Sequence, residues 1–80
     1  MMSYLTKRSV LVLAFKDNHE AAATIPAGQI IDVIGPAEDD RFMVVRVNRE
    51  QFHVFASDLT VRARKIKVVA SGHLIGKDYP

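Results

Sequence analysis

Few residues in this 80-residue chain have the types and spacing that chemistry requires. Ser57 and Asp58 adjoin, and histidines stand at 19, 53 and 73. Acyl transfer would need a nucleophile, a base within hydrogen-bond reach and donors for the developing oxyanion. No nucleophile-elbow or oxyanion motif accompanies Ser57. Asp58 reads instead as a helix cap, its carboxylate accepting backbone N–H groups. Zinc needs at least three converging ligands, and these histidines have no paired spacing and no cysteine beside them. Glu38-Asp39-Asp40 lacks the regular oxygen spacing and glycine turn of a calcium loop, and reads as a solvated turn. The expectation is a non-enzymatic protein with no catalytic residue, no metal and no cofactor.

Two surface signals remain. The first is Arg62-Ala63-Arg64-Lys65-Ile66-Lys67, a basic run that could contact phosphates. On a strand, alternation puts Arg62 and Arg64 on one face and Lys65 and Lys67 on the other. A few such cations would give weak, salt-sensitive and sequence-independent nucleic-acid binding. The competing reading is a charged edge strand that discourages edge-to-edge aggregation. The net charge of +2 hides an asymmetry. Residues 1–20 carry +1, residues 21–60 carry −3, and residues 61–80 carry +4.

The second signal is an apolar surplus. The runs Arg41–Val47 and Gln51–Ala56 are apolar on both faces, where a half-buried strand should alternate. Phe42, Val44, Phe52, Val54, Phe55, Ile66, Val68, Val69, Leu74 and Ile75 are more large apolar residues than so small a barrel should hide, and Phe42, Val44, Ile66, Val68, Leu74 and Ile75 stand out among them. They are the expected interaction surface, for a second copy or a protein partner. A homodimer is favoured on symmetry grounds. The leading expectation is thus a self-associating protein-interaction module. A weak nucleic-acid binder using Arg62, Arg64, Lys65 and Lys67 is the alternative.

The elements that position these residues are strands. Eighty residues make one domain, and a chain this size buries about 60% of its unfolded surface. A composition of 49% hydrophobic and 25% charged residues fits an ordered globular chain. Without cysteine there is neither disulfide nor thiolate chemistry, and a cytoplasmic setting is expected. The apolar run Val10–Phe15 is too short for a secretory core or a bilayer-spanning helix, so no membrane association is expected. It reads as the first strand. Residues 16–28 read as a long loop, because "HEAAAT" cannot sustain a helix without packing. Further strands are expected at Gln29–Ile34, stopped by Gly35-Pro36, at Arg41–Val47, and at Gln51–Phe55. Ser57-Asp58-Leu59 reads as one helical turn, and Thr60–Ala70 as the last strand. The turn Asn48-Arg49 lacks the Asn-Gly pair that suits positive φ.

The stretch "IPAGQIIDVIGPAEDDRFMVVRVNREQFHVFASDLTVRA", residues 25–63, resembles the core of bacterial Src-homology-3-like small barrels. The resemblance lies in a Pro/Gly-bounded aliphatic strand, an acidic turn, a hairpin of two long strands, then a short helix bearing Asp58-Leu59 and a final strand. It implies an all-β, five-stranded Src-homology-3-like barrel with a one-turn helix before its last core strand. The core would span residues 9–65, with a C-terminal extension over 66–80. The chain departs from the peptide-binding eukaryotic members. It has no tryptophan, Arg41-Phe42 follows the acidic turn, and Ser57-Asp58-Leu59 stands at the short helix. An aromatic-lined groove for polyproline ligands is therefore not expected.

Overall fold

A computed structural model describes residues 2–67. Among these are seven strands and one short helix: β1 (Met2–Thr6), β2 (Val10–Lys16), β3 (His19–Ile25), β4 (Ile30–Pro36), β5 (Phe42–Val47), β6 (Glu50–Phe55), α1 (Ala56–Arg62) and β7 (Ala63–Ile66). They form one antiparallel sheet in the order β3-β2-β6-β5-β4-β1-β7. The all-β expectation holds at this level. The expected closed five-stranded barrel does not, since the sheet has seven strands and stays open, with β3 and β7 at its edges.

Both extra strands come from the N-terminal third. Met2–Thr6 forms a strand ahead of Val10–Lys16, which is therefore second and not first. Residues 16–28 are not a long loop, because His19–Ile25 pairs along all of β2, from Lys16↔His19 to Val10↔Ile25. Asp17 and Asn18 reverse the chain at φ 51° and 64°. Asp and Asn visit this left-handed region more readily than other side chains, and a two-residue turn of this kind matches strand twist. The weak helix propensity of the alanine run loses to a fully formed ladder. Asn48 and Arg49 make the same kind of turn, at φ 49° and 69°, despite the missing glycine.

The Gly35-Pro36 pair does not end β4, which runs to Pro36 through an irregularity between Val33 and Gly35. Pro36 lies opposite Met43. Met43 directs its backbone bonds toward Val54 on β6, so the missing proline N–H costs nothing there. The helix is longer than one turn, spanning Ala56–Arg62. Its N-cap is Phe55, with no side-chain capping bond. Asp58 is thus not a cap. It sits in the first turn, where a negative charge suits the helix dipole, and faces Arg62 at 3.9 Å. Residues 60–62, expected in the last strand, belong to this helix, β7 covers Ala63–Ile66, and residues 68–70 of the expected strand lie outside the described residues.

The core is built from the inward rows of the strands. Val10, Val12, Ile31, Val45 and Val54 are fully buried, joined by Phe52 and by Leu59 from α1. Burying each such side chain is worth about 1.5–3 kcal/mol. β-Branched residues dominate because their stiff χ1 packs well on a pleated surface. Around Thr6 the chain is tied down by polar bonds. Its hydroxyl donates to the Pro26 carbonyl at 2.8 Å, and the Gln29 amide donates back to that hydroxyl at 2.8 Å. Gly28 turns the chain at φ 86° and donates to the Thr6 carbonyl at 2.8 Å.

Candidate interaction surfaces

Alternation along β5 turns Met43, Val45 and Val47 inward and leaves Phe42, Val44 and Arg46 facing outward. Cross-strand pairing brings Phe42 opposite Phe55 and Val44 opposite His53. His53 in turn lies opposite Leu13 on β2, whose outward row also carries Leu11 and Phe15. The rings meet. Phe42 and Phe55 have centroids 4.5 Å apart, Phe15 and His53 4.6 Å, and Phe42 and His53 6.4 Å. Three strands thereby present one aromatic strip to solvent. Phe15 is 50% exposed and Phe55 36%.

The acidic turn supports one end of this strip. The Asp39 carboxylate accepts bonds from the Arg41 backbone amide at 3.1 Å and from Arg41 Nε at 3.0 Å. Those bonds from Arg41 hold the Asp39 carboxyl down at about 2 and raise the guanidinium above its ordinary value. The same pairing sets the guanidinium 5.9 Å from the Phe42 ring centroid, within cation–π range. The turn at residues 38–40 is exposed, as expected, and within it Asp39 orients the Arg41 guanidinium against an aromatic ring.

Of the expected interaction residues, Phe42 and Val44 belong to the strip. Ile66 does not: it lies on β7, opposite Ser3 of β1 and three strands from β5 in the sheet order. Val68, Leu74 and Ile75 lie outside the described residues. Phe15 and His53 were not singled out from the sequence as interaction residues, and Phe55 was counted only in the apolar surplus. The signal for Phe15 is the period-two row Leu11, Leu13, Phe15, which alternates against the inward Val10 and Val12.

The basic residues are also rearranged. Arg62 does not share a strand face with Arg64. It ends α1, where its guanidinium donates to the Ser9 carbonyl at 3.2 Å. Arg64 and Lys65 are exposed on the edge strand β7, opposite Leu5 and Tyr4, and Lys67 is exposed just beyond it. Sequence reading missed Lys7 and Arg8. Both are exposed in the turn after β1, and their amides donate to the Arg62 carbonyl at 2.8 and 3.3 Å. The fold therefore gathers cations from residues 7–8 and 62–67 along one sheet edge.

Among the described residues, no three His, Cys, Asp or Glu side chains converge as metal ligands. His19 is exposed on β3, and His73 lies outside the described residues. Among the described residues, no helix is long and apolar enough to cross a membrane. No family model, curated protein or solved structure matches the chain.

Proposed function

We propose that the chain is a non-enzymatic protein-interaction module of Src-homology-3-like type that also self-associates. Support for the fold type comes from connectivity. β4, β5 and β6 form a meander, α1 follows, and β7 returns to pair with β1, whose other side pairs with β4. The β2–β3 hairpin is then a long insertion between the first two strands of a five-strand set. The observation that carries the functional reading is the aromatic strip of Phe15, Phe42, His53 and Phe55 on a solvent face. Ring pairs on a solvated sheet face add only about 0.2–1 kcal/mol each to the fold, whereas large side chains buried at a protein contact can dominate its binding energy. Arg41, held at the rim, adds a cation beside them. The partner is an apolar segment of a protein.

A random peptide library selected on the immobilised domain tests this. Enriched peptides should carry large apolar side chains, and their affinity should fall at least tenfold for Phe42→Ser in a folded variant. A failure to enrich, or binding indifferent to Phe42 and Phe15, defeats the reading.

The cation cluster of Lys7, Arg8, Arg64 and Lys65 favours one second reading, a weak polyanion site. Binding of a short mixed-sequence oligonucleotide would then weaken linearly in log–log salt plots, by about 0.7 per phosphate neutralised on a single strand. A domain whose mass in light scattering ignores the oligonucleotide at low salt removes it.

A further inference from the structure

The two sheet edges are treated differently. On β7, Arg64 and Lys65 stand exposed, and charged side chains of this kind keep other strands away. On β3 the only carboxylate is Glu20, and no lysine, arginine or proline interrupts the seven residues. Among the described residues that edge pairs with β2 alone.

The ladder fixes which backbone groups it offers. A two-residue turn makes Lys16 and His19 a mutually hydrogen-bonded pair, and such pairs alternate along an antiparallel ladder. His19, Ala21, Ala23 and Ile25 therefore bond to β2. Glu20, Ala22 and Thr24 direct their N–H and C=O groups away from it, to the free edge. Those outward residues are spaced symmetrically about Ala22.

We propose that β3 is a homodimer interface in which a second copy adds its own β3, antiparallel, about a two-fold axis at Ala22. This rests on the self-association part of the functional reading and names its surface. In that register Ala22 opposes Ala22, Glu20 opposes Thr24, and Ala21 opposes Ala23. Every outward donor meets an outward acceptor, giving about six inter-chain bonds. No like charges meet, since each Glu20 carboxylate faces a threonine hydroxyl. A contact that is its own complement closes at two copies, whereas a head-to-tail edge contact would run on. The aromatic strip lies on the outward face of β2, β6 and β5, so dimerisation leaves it open and sets two strips in one continuous sheet.

Single-cysteine variants test the register, because the chain has no cysteine of its own. Two Cα atoms in a hydrogen-bonded pair lie about 5.5 Å apart, within disulfide reach. Ala22→Cys should form a disulfide-linked dimer under mild oxidation. Ala21→Cys should not, since its like-numbered partner lies diagonally across the ladder, about 7–8 Å away. Ala22→Lys places two ammonium groups face to face, and should weaken dimerisation at least tenfold in sedimentation while retaining the wild-type circular dichroism. A dimer that survives Ala22→Lys, with Ala22→Cys uncrosslinked, overturns the β3 interface but leaves self-association standing. A wild-type monomer at all concentrations overturns both. A monomer whose Glu20, Ala22 and Thr24 amides resist hydrogen exchange would mean that the chain's own remaining segment covers the edge, which also overturns the interface.

Discussion

Thr6 and Gln29 hold each other through both backbone and side chain. The Thr6 amide donates to the Gln29 carbonyl at 2.9 Å, and the Gln29 amide donates to the Thr6 hydroxyl at 2.8 Å. The hydroxyl also donates to Pro26, so one buried side chain closes the turn that launches β4. Thr6→Val keeps the shape and removes the hydroxyl, leaving the Gln29 amide and Pro26 carbonyl short of partners. The expected loss is about 1–3 kcal/mol in urea unfolding, with Thr6→Ser much closer to wild type. Equal stability of the valine variant would mean that water replaces these bonds without cost.

Arg49 holds φ at 69°, a conformation that costs a residue with a Cβ about 1–2 kcal/mol. Glycine removes this penalty but gives back about 0.4–1 kcal/mol by loosening the unfolded chain. Arg49→Gly should therefore stabilise by about 0.5–1 kcal/mol, raising Tm by a few degrees in a domain this small. Arg49→Ala is the control and should bring no such gain. If alanine stabilises as much as glycine, loss of the charge and not relief of the turn is responsible.

These turns mark where the sequence is legible and where it is not. β5 and β6 could be read directly, although both are apolar on both faces, because they are short runs rich in β-branched and aromatic residues with a turn between them. β3 could not. Ala21, Ala22 and Ala23 carry no β propensity, and the strand exists because Asp17 and Asn18 accept positive φ and aim the chain back along β2. That is a tertiary effect with a faint local signal. β1 was hidden differently: Met2–Thr6 has only five residues, and its place between β4 and β7 is set by partners far away in sequence. For the surface, Phe42 and Val44 were legible as apolar residues on an outward row. Their neighbours Phe15 and His53 were not, since ring contact across β2, β6 and β5 depends on strand order, which periodicity does not encode. The cations Lys7 and Arg8 needed the same information to join Arg62.

The Asp39–Arg41 clasp has a pH signature. The folded state holds the Asp39 carboxyl at about 2, below its ordinary 3.8, because Arg41 donates to the ionised form. A depressed carboxylate contributes stability that is fully present above the unfolded value and is lost as pH falls through the folded one. The contribution should therefore fade between about pH 4 and pH 2, and weaken in high salt because the pair is exposed. Carbon-detected NMR titration of Asp39 should give a midpoint near the lower value, returning toward 3.8 in Arg41→Gln. A midpoint unmoved by that substitution would show that the clasp does not form in solution.

Phe15 and Phe52 separate the roles of aromatic side chains in this sheet. Phe52 points inward at 8% exposure, while Phe15 stands outward at 50%, touching His53. Phe52→Ala removes core volume that the surrounding strands cannot refill, and should cost about 3–5 kcal/mol in denaturant unfolding. Phe15→Ser gives up only a surface ring contact, and should change stability by less than about 1 kcal/mol. If the outward ring serves binding, the order reverses in a binding assay. Phe15→Ser should lose affinity for library-selected peptides at least tenfold while its unfolding midpoint stays near wild type. A large stability loss from Phe15→Ser would instead make the strip part of the folding core, and the exposed rings would need no partner to explain them.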